Sequence, residues 1–269
     1  MKIAFWSHEK GMAGTTTNMA IVTVMLALGY NRRSILLENH YNCYNLEKVL
    51  FSADKSSFLR EEGYYYQQKS VDYLIRHMGT SISAEKLVET VSLSLLHDHL
   101  RYIPQGTIMN KEVFAYQLQQ MCYPLMNFLE HQSELVGVDV EASGNASTSL
   151  ILEESDLVVV SLSQNPNSLY KFLENYGHLQ KKAVFIIGNY KGEGNYSLEH
   201  MLKEFPHINK NRIGIIPYDW EVADAVKQGR LIGFLARNYQ CGNFQKNYPL
   251  IRECKNCASM INRHLHPAY

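Results

Sequence analysis

The chain has 269 residues, 46% of them hydrophobic and 19% charged. That composition supports a large core and excludes global disorder. Lys plus Arg and Asp plus Glu each number 26, for a net charge of +0 and a pI near 7.2, so no broad field steers the chain toward DNA or an anionic membrane.

Lys2 to Trp6 reads as a short apolar strand, and the opening M-K-I-A-F-W-S lacks the pattern of a signal peptide. A Gly- and Thr-rich turn follows over 8–17. Residues 18–28 are apolar at helical length, with Gly29 placed as a C-cap. The run A-I-V-T-V-M-L-A-L within it is too short to span a bilayer. A second strand covers 34–37. This β-loop-α-β unit opens a parallel sheet.

Short amphipathic helices are expected over 45–51 and 70–78. Between them lies a polar, tyrosine-rich stretch, S-F-L-R-E-E-G-Y-Y-Y-Q-Q, suited to a loop or an edge strand. It carries three adjacent tyrosines at 64–66, which fit a partner patch or a plain surface loop. A helical pattern occupies 83–96, a strand ending in a turn 100–106, and a long helix 111–132. Four more strands fall at 135–140, 157–162, 183–188 and 212–216. The uninterrupted apolar run at 157–162 suits a sheet covered on both faces. The last segment, 249–265, places Leu250, Ile251, Met260, Ile261 and Leu265 as a docking face. Strands alternate with helices without a linker or repeat. The expectation is one three-layer α/β/α domain over 1–269 with a mostly parallel central sheet.

A strand, a Gly-rich loop and a helix form a geometry that cradles phosphates, because backbone N–H groups and the helix N-terminus face the anion. Here the loop is K-G-M-A-G-T-T-T, Lys10 to Thr17. The general pattern G-x-x-x-x-G-K-[ST] places a lysine after the second glycine, and Thr15 stands there instead. The residues alone also suit a tight βα turn. Asp139 ends a buried apolar strand, where a carboxylate is costly without a partner. It suits either a cation site or an Asx-type turn. His40 is either a base or a solvated loop histidine.

The loop resembles the deviant Walker A motif, K-G-G-x-G-K-T-[ST], of the MinD/ParA family of P-loop ATPases. On that register Lys10 is the signature lysine that reaches the nucleotide of a second subunit. Gly11 and Gly14 match, Met12 replaces a glycine, Ala13 fills the variable position, and Thr15 replaces the phosphate-binding lysine. Thr16 matches the hydroxyl that binds Mg²⁺, and Thr17 follows. The segment I-L-L-E-N-H-Y-N-C-Y-N-L-E (35–47) resembles the family's second strand and first switch, with Glu38 and His40 in place of two aspartates. L-V-G-V-D-V-E-A-S-G (135–144) resembles the Walker B strand and second switch. Asp139 there would hold Mg²⁺ through water, Gly144 matches the switch glycine, and the usual paired prolines are missing. F-I-I-G-N-Y-K (185–191) and I-G-I-I-P-Y-D-W-E-V-A-D-A-V-K-Q-G (213–229) resemble the base-binding strand ends, with Asn189, Pro217 and Asp219 near the base.

The resemblance implies bound ATP or ADP with Mg²⁺, a homodimer, and a cytoplasmic protein that recruits a partner machine, with a peripheral place at the inner membrane face as a variant. The altered loop is similar to that of TadZ/CpaE-type members, which localise pilus assembly, and implies weak or absent hydrolysis. Two alternatives stay open: an active ATPase of the partition or division-site type, and a scaffold that binds no nucleotide. Net charge supports neither DNA nor membrane contact.

The cysteines at 43, 122, 241, 254 and 257 are too few and scattered for a disulfide framework, which fits a reducing compartment. Cys254 and Cys257 form a C-x-x-C inside a helical pattern, with no second pair at zinc spacing. The mildly basic final helix suits docking onto the sheet better than a membrane surface.

Overall fold

The computed structural model describes residues 1–40, 45–51, 68–106, 111–142, 146–193 and 196–265. The tyrosine cluster at 64–66, Cys43 and Gly144 lie outside them. The strands are β1 (Lys2–Trp6), β2 (Ser34–Glu38), β3 (Leu93–Leu95), β4 (Leu100–Tyr102), β5 (Leu135–Asp139), β6 (Leu157–Leu162), β7 (Ala183–Tyr190) and β8 (Ile213–Pro217). They form one sheet in the order β3-β4-β2-β5-β1-β6-β7-β8. Every pairing is parallel except β3 with β4.

The order places β1 at the centre. The chain builds one half of the sheet outward from β1 and returns to build the other, so the crevice beyond β1 lies at a topological switch point, where α/β sheets bind ligands. The register then decides which side chains meet there. Phe5 and Glu38 are the Cα partners of Asp139 on either side.

Helices cover both faces. On one, α1 (Thr15–Tyr30) is buried from Asn18 to Ala27. It packs beside the last helix (Tyr248–Leu265), which itself lies against β8 and whose Leu250, Ile251, Cys254, Cys257, Ala258, Met260 and Ile261 join the same core. The docking expected for that segment is what the chain adopts. Cys254 and Cys257 are buried packing groups, and burial pushes the Cys257 thiol up to about 12. The other face is built on Trp6, Val138, Val160, Phe172 and Phe185, with the long helix Lys111–Glu130 against β5. Both faces of β1, β5 and β6 are therefore sealed, as their continuous apolar runs require.

Two local expectations need correction. The first helix does not stop at Gly29. It runs to Tyr30 and ends at Asn31, which takes the left-handed conformation (φ 55°) and donates its N–H to the Leu26 carbonyl. Gly29 is small for another reason: a Cβ there would collide with the Tyr239 hydroxyl. The helix expected over 83–96 ends at Val91, and Leu93–Leu95 pair antiparallel with β4. An apolar run of that length fits a helix or an edge strand, and only the pairing partner decides. The segment 100–106, expected as a strand ending in a turn, has its strand at Leu100–Tyr102.

Candidate functional site

The turn after β1 contains two glycines in the left-handed region, Gly11 at φ 73° and Gly14 at φ 67°, a conformation costly for any residue with a Cβ. Gly14 directly precedes α1 and offers no side chain to the helix's first N–H groups, and the first helical turn holds no acidic residue. That end of the helix therefore carries its partial positive charge into the cleft without a side-chain cap.

The loop is fastened from behind. The Asn18 amide donates to the Ala13 carbonyl and to the Ser161 hydroxyl, each at 3.0 Å. Gly188 of β7 lies so near the Ala13 carbonyl that a Cβ there would collide with it. Asn189, itself left-handed at φ 50°, keeps its amide beside Gly14.

A cleft of about 280 Å³ opens in front of this turn, lined by Glu9, Lys10, Gly14, Thr16, His40 and Asp139 among others. Lys10 and Gly11 are exposed at its rim. Met12 is 67% exposed and points its bulk to solvent rather than filling the cleft. Thr15, Thr16 and Thr17 are half-buried at the head of α1.

The opposite wall is made by the ends of β2 and β5. The Thr16 hydroxyl donates to Asp139 Oδ2 at 2.6 Å, and His40 Nε2 lies 3.3 Å from the same oxygen. Glu38, fully buried, accepts from the Leu46 N–H at 2.6 Å, the Tyr102 hydroxyl at 2.9 Å and the Gln105 amide at 2.9 Å. Burial raises the Glu38 carboxyl to about 7, against the pull of His40 and those hydrogen bonds, while the Asp139 charge adds to the rise. For His40, burial pulls downward, but the Asp139 hydrogen bond and charge, with Glu38 and Glu141, hold it up at about 9. The reading of His40 as a solvated loop residue is therefore corrected: it is 4% exposed and paired with Asp139. A ring that keeps its proton at neutral pH is a poor acceptor of a proton from water.

Magnesium prefers hard oxygen donors. The Thr16 hydroxyl and the Asp139 carboxylate meet at the cleft, so the donor set fits that ion. The protonated His40 contacts the same carboxylate oxygen and competes with magnesium for it.

Asn189, Pro217 and Asp219 lie outside the cleft lining. Tyr190 pairs with Pro217, and the Tyr218 N–H donates to the Tyr190 carbonyl at 2.8 Å, which brings Asn189, Pro217 and Asp219 to one pair of strand ends. The Asp219 carboxylate caps the following helix (Trp220–Lys227), accepting from the Glu221 and Val222 N–H groups at 2.8 and 3.1 Å.

Three residues that sequence reading passed over complete the site. Glu9 Oε2 accepts from the Ser168 hydroxyl at 2.6 Å and the Ser163 N–H at 3.1 Å, tying the loop to the turn after β6. Burial raises the Glu9 carboxyl, but these bonds outweigh it and hold it below the usual range. Asn39 accepts from the Glu141 N–H at 2.7 Å and donates to Ser147 and Thr148 at 3.3 and 3.1 Å, locking the two strand ends together. Glu141 is buried in the cleft wall. The polar trio E-N-H at the end of an apolar strand was the available signal for Asn39; Glu9 had none, because its partners are more than 150 residues away.

No family model matches the chain, and no curated protein matches it. Solved structures do. A ParA-family ATPase from Chlorobium tepidum superposes with a TM-score of 0.70 at 13% identity, covering 96% of this chain and 98% of that one. The septum site-determining protein MinD of Pyrococcus horikoshii, complexed with Mg-ADP, gives 0.69 at 14% identity, covering 99% and 98%. The MinC:MinD cell division protein complex of Aquifex aeolicus gives 0.64 at 15% identity, covering 97% and 95%. The chain has the three-layer fold of these MinD/ParA ATPases.

Proposed function

We propose that the chain is a nucleotide-binding positioning protein of the MinD/ParA type, one that hydrolyses ATP weakly or not at all. The observation that carries this reading is the uncapped head of α1 behind Gly14. It opens on a cleft where the Thr16 hydroxyl and the Asp139 carboxylate meet at 2.6 Å. Main-chain amides from Gly11 to Thr16 grip the phosphates of ATP or ADP, aided by the helix dipole. Thr15 supplies no charge where a lysine would neutralise the outer phosphates, so binding is weak within one copy. Lys10, exposed at the rim, serves the nucleotide of a second copy. Magnesium, when bound, offsets phosphate charge; Thr16 and Asp139 would hold it. Asn189, Pro217 and Asp219 border the base.

Slow turnover follows from what surrounds Asp139. Phosphoryl transfer depends on positioning and charge neutralisation. Here a protonated His40 occupies the carboxylate that should serve the ion, and Glu9 and Glu141 add negative charge to the cleft. Such a protein works by occupancy. The nucleotide-bound dimer docks a protein partner, such as a pilus-assembly or other localised machine, as one domain at the cytoplasmic side. Among the described residues no helix is long and apolar enough to cross a membrane.

Calorimetry with ATP and Mg²⁺, followed by size measurement of wild type and Lys10→Ala, tests this. The expected result is saturable heat in both proteins and an ATP-dependent dimer in the wild type only. Turnover that Lys10→Ala abolishes would show an active ATPase instead. Absence of both heat and thermal shift would leave a scaffold.

A further inference from the structure

We propose that Glu38, His40 and Asp139 form a binding site for a first-row divalent ion that accepts imidazole, such as Co²⁺ or Zn²⁺, and that this site fills without nucleotide. The site goes beyond the nucleotide reading and does not depend on it.

The three side chains offer one ligand atom each, all within 4.8 Å of one another, and all three residues are buried. Two ligands opposite one another on an ion with bonds of about 2.1 Å stand roughly 4.2 Å apart, and two at a tetrahedral angle roughly 3.4 Å. His40 Nε2 and Asp139 Oδ2, at 3.3 Å, already have the second spacing. A pair at the 4.8 Å limit would close by roughly 0.6 Å to take opposite positions on the ion and by roughly 1.4 Å to take tetrahedral ones.

The arrangement is braced as a metal site is braced. The Leu46 N–H, Tyr102 and Gln105 hold Glu38 in place, and among the described residues Oε1 accepts from the Leu46 N–H alone, which leaves a lone pair for an ion. Thr16 fixes Asp139 and adds a hydroxyl oxygen at the same point. Among the described residues the buried His40 Nδ1 has no hydrogen-bond partner, and the ring is held by Asp139 alone. The cleft reaches His40 and Asp139 and supplies the entry path.

The chemistry of the set decides the ion. Two carboxylates alone would suit magnesium, but an imidazole nitrogen favours the later first-row metals. Charge agrees once the ion displaces the protons held by His40 and Glu38: two carboxylates and a neutral ring then balance one divalent cation.

The test uses the full-length chain without nucleotide. Co²⁺ titration should give visible d–d absorption saturating at one ion per chain, and Zn²⁺ should compete it away where Mg²⁺ does not. His40→Asn should weaken Co²⁺ binding about tenfold or more. Glu38→Gln, which keeps the acceptor for Leu46, should weaken it as well. Thermal unfolding of each variant checks that the fold survives. A wild type with no Co²⁺ absorption, or with binding that His40→Asn leaves unchanged, overturns the proposal. Failure here with intact ATP heat would leave the nucleotide reading standing, and the reverse outcome would separate them as cleanly.

Discussion

The two walls of the cleft are built on opposite principles. The wall after β1 works through its backbone. Left-handed Gly11 and Gly14 and the uncapped head of α1 carry it, and Met12 and Thr15 change its side chains without closing it. The wall at the ends of β2 and β5 works through charge. Glu38, His40 and Asp139 form one coupled buried set in which no member can change alone. A cradle of amides tolerates side-chain drift, because each N–H stays where φ and ψ put it. A charged cluster in a low dielectric does not, because every charge is solvated by its neighbours.

That contrast is easiest to break at Asp139. Asp139→Ala leaves a buried imidazolium without its carboxylate, and urea unfolding should show a loss of about 3–5 kcal/mol. A loss below 1 kcal/mol would show that the second wall is not a coupled set.

The next effect is on pH. The His40 pKa is about 9 in the folded chain, above its ordinary 6.5, so its contribution is complete below pH 6.5 and is lost as pH rises toward 9. Glu38, raised from 4.5 to about 7, withdraws stability in the same direction between those values, because its neutral form is the one the fold prefers. The ion-free protein should lose stability on the order of 3 kcal/mol between pH 6.5 and 9, and His40→Asn should flatten that slope. A slope unchanged in the variant would mean His40 keeps an ordinary pKa.

The first wall calls for a gain rather than a loss. Thr15→Lys restores a point charge to a cradle that is otherwise complete. It should tighten ATP binding by about 1.5–3 kcal/mol, the worth of a charge-assisted hydrogen bond, measured by calorimetry with Mg²⁺. No gain would mean that the amides are not aimed at a phosphate. The smallest effect is expected at Glu9. Glu9→Gln keeps an acceptor for Ser163 and Ser168 and removes one negative charge from the cleft, so ATP affinity should rise by roughly 1 kcal/mol or less, with the salt dependence of binding reduced.

Most of the fold was legible in advance. Five-residue apolar runs ending in polar trios, spaced by helices, leave little besides a parallel sheet, and 157–162 is the strand Leu157–Leu162 residue for residue. The K-G-M-A-G-T-T-T segment was legible as a glycine turn between a strand and a helix for the same reason, since glycine at such a junction is a local property. The misreadings share a cause. Gly29 looks like a helix stop until Tyr239, 210 residues further on, is placed against it, and Leu93–Leu95 looks helical until β4 lies beside it.

Local patterning determined the sheet, the glycine turn and the covering helices, because backbone preference and apolar period act over a few residues. The chemistry of the second wall was decided elsewhere. Register alone sets Glu38 beside Asp139 across some hundred residues of chain, and folding drives His40 between them and brings Ser168 to Glu9. Whether a carboxylate or an imidazole holds its proton depends on burial and on the charges around it, and both exist only once the strands are paired.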